Sequence, residues 1–280
     1  MKKRYNVGMF ILFVVIIGWA LVQFLPLIWM LNTSLKTSQE IVQFPLKLAW
    51  LPTFKNYPIA WTGEKSNVVL RLYFSNSLIV VSATMIALTL IATLAAYALA
   101  RYKFKGQRFF LMLLIGMVAV PMHSLIIPLY HLIKTMGLLN RYPGLILVYS
   151  TVGLPMSILI LQSYFRGFPS ELEDAARVDG CKELEVFWYI VAPISKGALS
   201  AVAIVNFIAF WNELFLGMVL LWGNNVKTLP VGLLGYRGLW GQTSWGPLFA
   251  GLSIATVPMI VFYLIFSKNI MRGMTLGSFR

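Results

Sequence analysis

Residues 72–100 read LYFSNSLIVVSATMIALTLIATLAAYALA without a single charge, and residues 101–108 then read RYKFKGQR, with four basic side chains. A helix over the first stretch would be longer than the ~30 Å hydrocarbon core of a bilayer at about 1.5 Å rise per residue. Its spacing therefore predicts a membrane-crossing helix that ends at a basic interface. Five further stretches have the same character, at about 7–31, 109–132, 143–165, 197–221 and 247–266. Composition agrees: 59% of the 280 residues are apolar, mean hydropathy is +0.78 and 11% are charged, against about 25% in soluble domains. The expected fold is an all-α integral membrane protein of six transmembrane helices, a single transmembrane domain over 1–280.

The net charge of +14 does not point to nucleic acid, because the basic residues flank the apolar spans, where they set topology. With the N-terminus inside, fourteen Lys and Arg fall on inner segments and nine on outer ones, which predicts both termini in the cytoplasm. MKKR at the start resembles the n-region of a signal peptide, but the apolar stretch behind it is long and no small-residue cleavage site follows. It is read as a retained first helix. The outer loop at about 32–71 carries Pro45, Pro52, Pro58, Trp50 and Trp61 and is expected to be ordered close to the membrane surface. The Ala, Ser, Thr and Gly of spans two and five predict close helix packing and surfaces for another membrane subunit. The lone Cys181 excludes an internal disulfide.

The inner loop at about 166–196 is chemically unlike the rest. It holds ELEDAARVDG at 171–180, and six of the nine acids of the chain lie between Glu171 and Glu185. Ser170 and Pro169 suit a helix start, and acids in the first turn complement the helix dipole. Glu173 is spaced to pair with Arg177, Leu172, Ala175 and Ala176 form a small stripe, and Gly180 suits a left-handed stop. A second short helix is predicted with Leu184, Phe187, Trp188 and Val191 on one face, broken by Pro193. Surface helices that lie on lipid are usually basic. An acidic one points to a protein partner.

ELEDAARVDG, with Phe187, Ile190 and Pro193 downstream, resembles the signature of binding-protein-dependent ABC importer permeases. Glu173, Ala175, Ala176 and Gly180 stand at signature positions, with Asp174 replacing the usual Glu or first Ala. PLIWMLNTSLKT, NSLIVV, AAYALARYKFKG, PLYHLIKTMGLLN, FWNELFLGMVLL and SWGPLFAGLSIATVP are similar to the carbohydrate-uptake branch, and the chain looks like the smaller, six-helix permease of a maltose-type pair. The usual Leu-Pro tail with a second Pro is replaced by Ala192-Pro193 and Gly197. The resemblance implies a subunit of a bacterial or archaeal cell (inner) membrane that couples a partner ATPase to alternating access through the 169–193 loop. The coupling residues would be Glu173, Asp174, Ala175, Ala176, Asp179 and Gly180. Implied partners are a second permease, two ATPase subunits and an extracytoplasmic solute-binding protein, with ATP and Mg bound by the ATPase and no cofactor in this chain.

The sequence has no GxxxxGK[ST] pattern. It carries two histidines, His123 and His131, read as packing or interfacial residues with no metal. Glu213, beside Trp211 and Asn212, is the one acid inside a predicted span, and such a carboxylate is functional by default. It is read equally as part of a translocation path or subunit interface and as a structural hydrogen bond. The alternative function is a secondary transporter using Glu213 as proton carrier. A six-helix protease or lipid enzyme is a third, and no Ser/His or paired-Asp set supports it. Trp240 and Trp245 are read first as interfacial anchors and second as contacts for a binding protein.

Overall fold

The computed structural model describes residues 7–64, 68–167, 169–238 and 243–276. Every regular element among them is helical. In chain order the α-helices are α1 (Val7–Ser34), α2 (Ser38–Gln43), α3 (Asn56–Thr62), α4 (Leu70–Arg101), α5 (Gln107–Ala119), α6 (Ile126–Thr135), α7 (Tyr142–Arg166), α8 (Glu171–Val178), α9 (Glu183–Val186), α10 (Ala192–Ile194), α11 (Lys196–Trp211), α12 (Phe215–Leu220), α13 (Leu229–Leu233) and α14 (Trp245–Leu276). Among the described residues four helices are singly long and apolar enough to cross a membrane, within α1, α4, α7 and α14. Two bent pairs raise the number to six if each pair is one span.

The predicted span at 109–132 is not one straight helix. α5 stops at Ala119, and the chain turns by 94° into a helix beginning at Met122. Pro121 explains the break: it donates no backbone hydrogen bond and drives the residue before it out of the helical region. Val120 accordingly has φ −79° and ψ 122°. The span at 197–221 is also interrupted, since α11 ends at Trp211 and α12 begins at Phe215. Upstream, Pro193 does not break the helix. A π turn at Phe187–Val191 runs through it into α10, its widened spiral accommodating the absent proline N–H. The break falls at Ser195, with a 74° bend between Glu183–Ile194 and α11.

The chain clusters into two units. The first contains residues 1–71 and 232–256. The apolar window of α1 has no residue buried within the chain. Behind it residues 35–62 are tightly bonded to the end of α1. Thr37 and Glu40 form a capping box on α2, and Asn56 Nδ2 donates to the carbonyls of Ser34 and Lys36 at 2.7 and 2.8 Å. Lys36 is itself buried, with Nζ donating to the Phe44 carbonyl at 2.9 Å.

The second unit contains residues 72–231 and 257–280. Here α4, α7 and α11 meet at Gly153. A Cβ there would run into Leu88 Cδ1 and lie 2.9 Å from Asn206 Oδ1 and Phe210 Cζ. Only glycine lets the three helices approach so closely, the packing that small residues provide in lipid. Asn206 Nδ2 donates to Ser157 Oγ at 2.9 Å, fastening α11 to α7, and Tyr149 stacks on Phe210 with centroids 4.9 Å apart.

Candidate functional site

The 166–196 loop is built as two short helices joined at Gly180. Ser170 does not cap α8 with its side chain. Its backbone is already helical, at φ −71° and ψ −22°, whereas a side-chain cap needs an extended residue. Its carbonyl instead accepts from the amides of Glu173 and Asp174, both at 3.0 Å. The other end follows the local rule. Gly180 has φ +89°, its amide donates to the Arg177 carbonyl and that of Cys181 to the Ala176 carbonyl, both at 3.0 Å. This is a Schellman stop, in which glycine occupies the left-handed position at no steric cost. α9 opens with the Lys182 amide donating to Glu185 Oε2 at 2.7 Å.

The acids divide into two sets. Glu173 is 1% exposed and faces the chain itself. Arg101 Nη2, at the end of α4, lies 2.6 Å from Glu173 Oε1, and the Tyr97 hydroxyl donates to Oε2 at 3.0 Å. The expected Arg177 partner is farther off, at 3.6 Å. Arg177 instead bridges the helices, bonding Asp174 at 2.7 Å and Glu183 at 2.9 Å. The Tyr102 hydroxyl donates to Glu183 Oε2 at 2.8 Å. The chain of contacts leaves α4 at Arg101, passes through α8 and α9, and returns at Tyr102. The Arg177 guanidinium beside it, then the Tyr102 hydroxyl, hold the Glu183 carboxyl below the ordinary carboxylate range. Hydrogen bonding to Glu183 raises Arg177 in turn. Burial, then the bond to Glu183, raises the Tyr102 phenol.

The second set points outward: Asp174, Ala175, Asp179 and Gly180 are exposed, while Ala176 is buried beside Glu173. Exposed apolar side chains accompany them, with Val178 87%, Tyr189 77% and Leu184 66% exposed. The predicted stripe on the second helix is therefore split. Phe187 and Val191 are buried, and Leu184 and Trp188 are not. The buried face is Val186, Phe187 and Val191, and Phe187 packs 5.2 Å from the Tyr97 ring.

Trp211, Asn212 and Glu213 form a separate group, at the other end of α11, about 24 Å of helix from the loop at ~1.5 Å per residue. Trp211 is 2% exposed and lies between the rings of Phe74 and Phe207, at 5.7 and 5.6 Å. Asn212 Nδ2 donates back to the Ile208 carbonyl at 2.8 Å. Glu213 lies in the break between α11 and α12, outside either helix. Its Oε1 accepts from the Leu216 amide at 2.8 Å. Its Oε2 accepts from the Gly217 amide at 3.0 Å and the Tyr149 hydroxyl at 2.7 Å. The carboxylate thus caps α12 and ties it to α7. His123 packs edge-on to Phe215, with centroids 5.1 Å apart. No group of three His, Cys, Asp or Glu suited to a metal occurs among the described residues. Trp245 is half-exposed and stacks against Phe249, and Trp240 lies outside the described residues.

Sequence reading missed the roles of Tyr97, Arg101, Tyr102 and Tyr149. In sequence, Arg101 reads only as a topology charge. The available signal was the surplus of acids on the loop, which needs cations from elsewhere on the same side.

Comparison with known proteins shows the family. The family of binding-protein-dependent transport system inner membrane components matches residues 89–275. A probable ABC transporter permease protein, YurM of Bacillus subtilis, is 34% identical, covering 99% of this chain and 90% of its own. The trehalose/maltose transport system permease protein MalG of Thermococcus litoralis is 31% identical over 93% of each chain. The diacetylchitobiose uptake system permease protein NgcG of Streptomyces coelicolor is 32% identical over 95% of this chain and 87% of its own. A solved bacterial ABC transporter that imports the acidic polysaccharide alginate has the same fold, with a TM-score of 0.80 at 21% identity over 96% of this chain and 98% of that one. This chain belongs to the binding-protein-dependent transport system inner membrane components, as a multi-pass permease component of an ABC importer.

Proposed function

We propose that the chain is the six-span permease subunit of an ATP-driven importer for a sugar or related solute, with both termini in the cytoplasm, and that its 169–193 loop couples ATPase closure to alternating access. The sugar assignment follows the relatives that serve diacetylchitobiose and trehalose or maltose. The partners are a second permease subunit, two ATPase subunits that hold ATP and Mg, and an extracytoplasmic solute-binding protein. Support for the second permease is the apolar window of α1, none of which is buried within this chain.

The observation that carries the coupling reading is the construction of the loop. Two short helices are fixed by a Schellman stop and an ion-pair network, and they present Asp174, Asp179, Val178, Leu184 and Tyr189 outward. A rigid, anchored projection transmits displacement, and its charge selects the partner more than it adds affinity. The Trp211–Asn212–Glu213 group fits a structural cap better than a proton carrier, because both Glu213 oxygens already serve as acceptors. The test uses Asp174→Asn and Gly180→Val in the reconstituted complex with its ATPase and binding protein. Sugar-loaded binding protein should stimulate ATP hydrolysis several-fold less than in the wild type. Undiminished stimulation in both variants would sink the coupling role.

A further inference from the structure

We propose that Glu173 is a positioning residue and not one of the docking acids: with Arg101 and Tyr97 it bolts the 166–196 loop to the C-terminal end of α4, so that loop and helix move as one body. The inference rests on the coupling role proposed above and adds where the displacement goes.

Burial separates Glu173 from its neighbours. The side chain of Asp174 is 66% exposed and that of Glu173 1%. A carboxylate so enclosed offers nothing to a partner's surface. A buried carboxylate also needs a counter-charge close by. Arg101 meets it at 2.6 Å and is itself only 13% exposed, so the pair is shielded from the salt and water that weaken surface ion pairs. The Tyr97 hydroxyl occupies the second oxygen. Its ring packs edge-on against Phe165 of α7 and tilts against Phe187 of the π turn, at 6.0 and 5.2 Å. One side chain of α4 therefore touches the end of α7, the buried acid of α8 and the segment that follows α9. Arg177 completes the circuit by tying α8 to α9 through Glu183, and Glu183 returns to Tyr102 beside Arg101. Both ends of the circuit lie at the α4 terminus. The loop cannot swing on Gly180 alone without breaking a buried charge pair, whose loss leaves an ion uncompensated.

The test uses the complete complex with its ATPase subunits. Nitroxides are placed on Cys181, the only cysteine, and on Lys105→Cys, and the distance between them is measured by pulsed electron resonance without nucleotide and with ATP. The wild-type background should give one narrow distance, the same in both states. In Glu173→Gln the distribution should broaden or split, and solute moved per ATP hydrolysed should fall at least about fivefold, while the ATPase subunits still copurify. Arg101→Gln should do the same, and the double variant should be no worse than either single one, as expected when both act through one contact. If these variants do not accumulate, Tyr97→Phe, which removes one hydroxyl, should give a smaller shift in the same direction. A single unchanged distance with wild-type coupling in Glu173→Gln would overturn the inference. So would loss of ATPase copurification in Glu173→Gln, which would return Glu173 to the docking surface. If Asp174→Asn and Gly180→Val also leave coupling intact, it is the coupling role that fails; if they uncouple and Glu173→Gln does not, only the bolt fails.

Discussion

At the scale of the residue, Glu213 illustrates how an expensive group becomes structural. A carboxylate within an apolar bundle needs donors, and this one has two backbone amides and a phenol. Leu216 and Gly217 are at the start of α12, where amides have no intrahelical partner. Replacing Glu213 with Ala should therefore lower the stability of the complex by about 2 kcal/mol, the range of a lost cap with charged hydrogen bonds. Glu213→Gln keeps one carbonyl oxygen and should cost less, with uptake largely retained. Thermal inactivation of the purified complex, together with solute uptake into vesicles, measures both. A proton carrier would instead lose uptake in the Gln variant as fully as in Ala. Gly180 and Glu173 mark the range of what one residue reveals in sequence. The stop at Gly180 depends on neighbours within five positions, and it was readable. The partner of Glu173 comes from another helix, and the local spacing pointed to Arg177 instead.

At the scale of the element, helix existence was readable and helix continuity was not. Apolar runs identify α1, α4, α7 and α14 because a bilayer demands length and hydrophobicity. The same runs conceal the breaks at Val120–Pro121, Ser195 and Asn212–Leu214, since the broken segments stay apolar. Backbone freed in such breaks is tolerated where side chains or neighbouring helices satisfy it, as Glu213 does. The contact of α4, α7 and α11 at Gly153 is a close packing constraint among the described residues. Gly153→Val places its branched side chain against Leu88, Asn206 and Phe210. The expected cost is at least about 1–3 kcal/mol of overpacking, read as a lower yield of folded, monodisperse protein in size-exclusion chromatography. Gly8 has open space around it, and Gly8→Val should leave that yield unchanged.

At the scale of the whole molecule, the charge asymmetry makes a claim about sidedness. Single cysteines at Lys103 and Lys105, both on exposed positions, are expected to react with a membrane-impermeant maleimide only after permeabilisation of cells. Those at Trp50 and Asn224, also exposed, should react in intact cells. For these assays Cys181 is replaced by Ser. The opposite pattern would invert the orientation. What the sequence by itself determined is the solvent each segment prefers and the local stops and starts: apolar length, basic flanks, the glycine turn and the acidic segment. These follow from interactions within a few residues or with the bilayer, which carry their signature in one stretch of chain. What only the tertiary structure decided is which acid faces inward, where two spans bend, and that Arg101, Tyr97 and Tyr149 supply the partners. Those outcomes depend on helices far apart in sequence being brought together, where a buried charge must find its counter-charge and three backbones must share the space at one glycine.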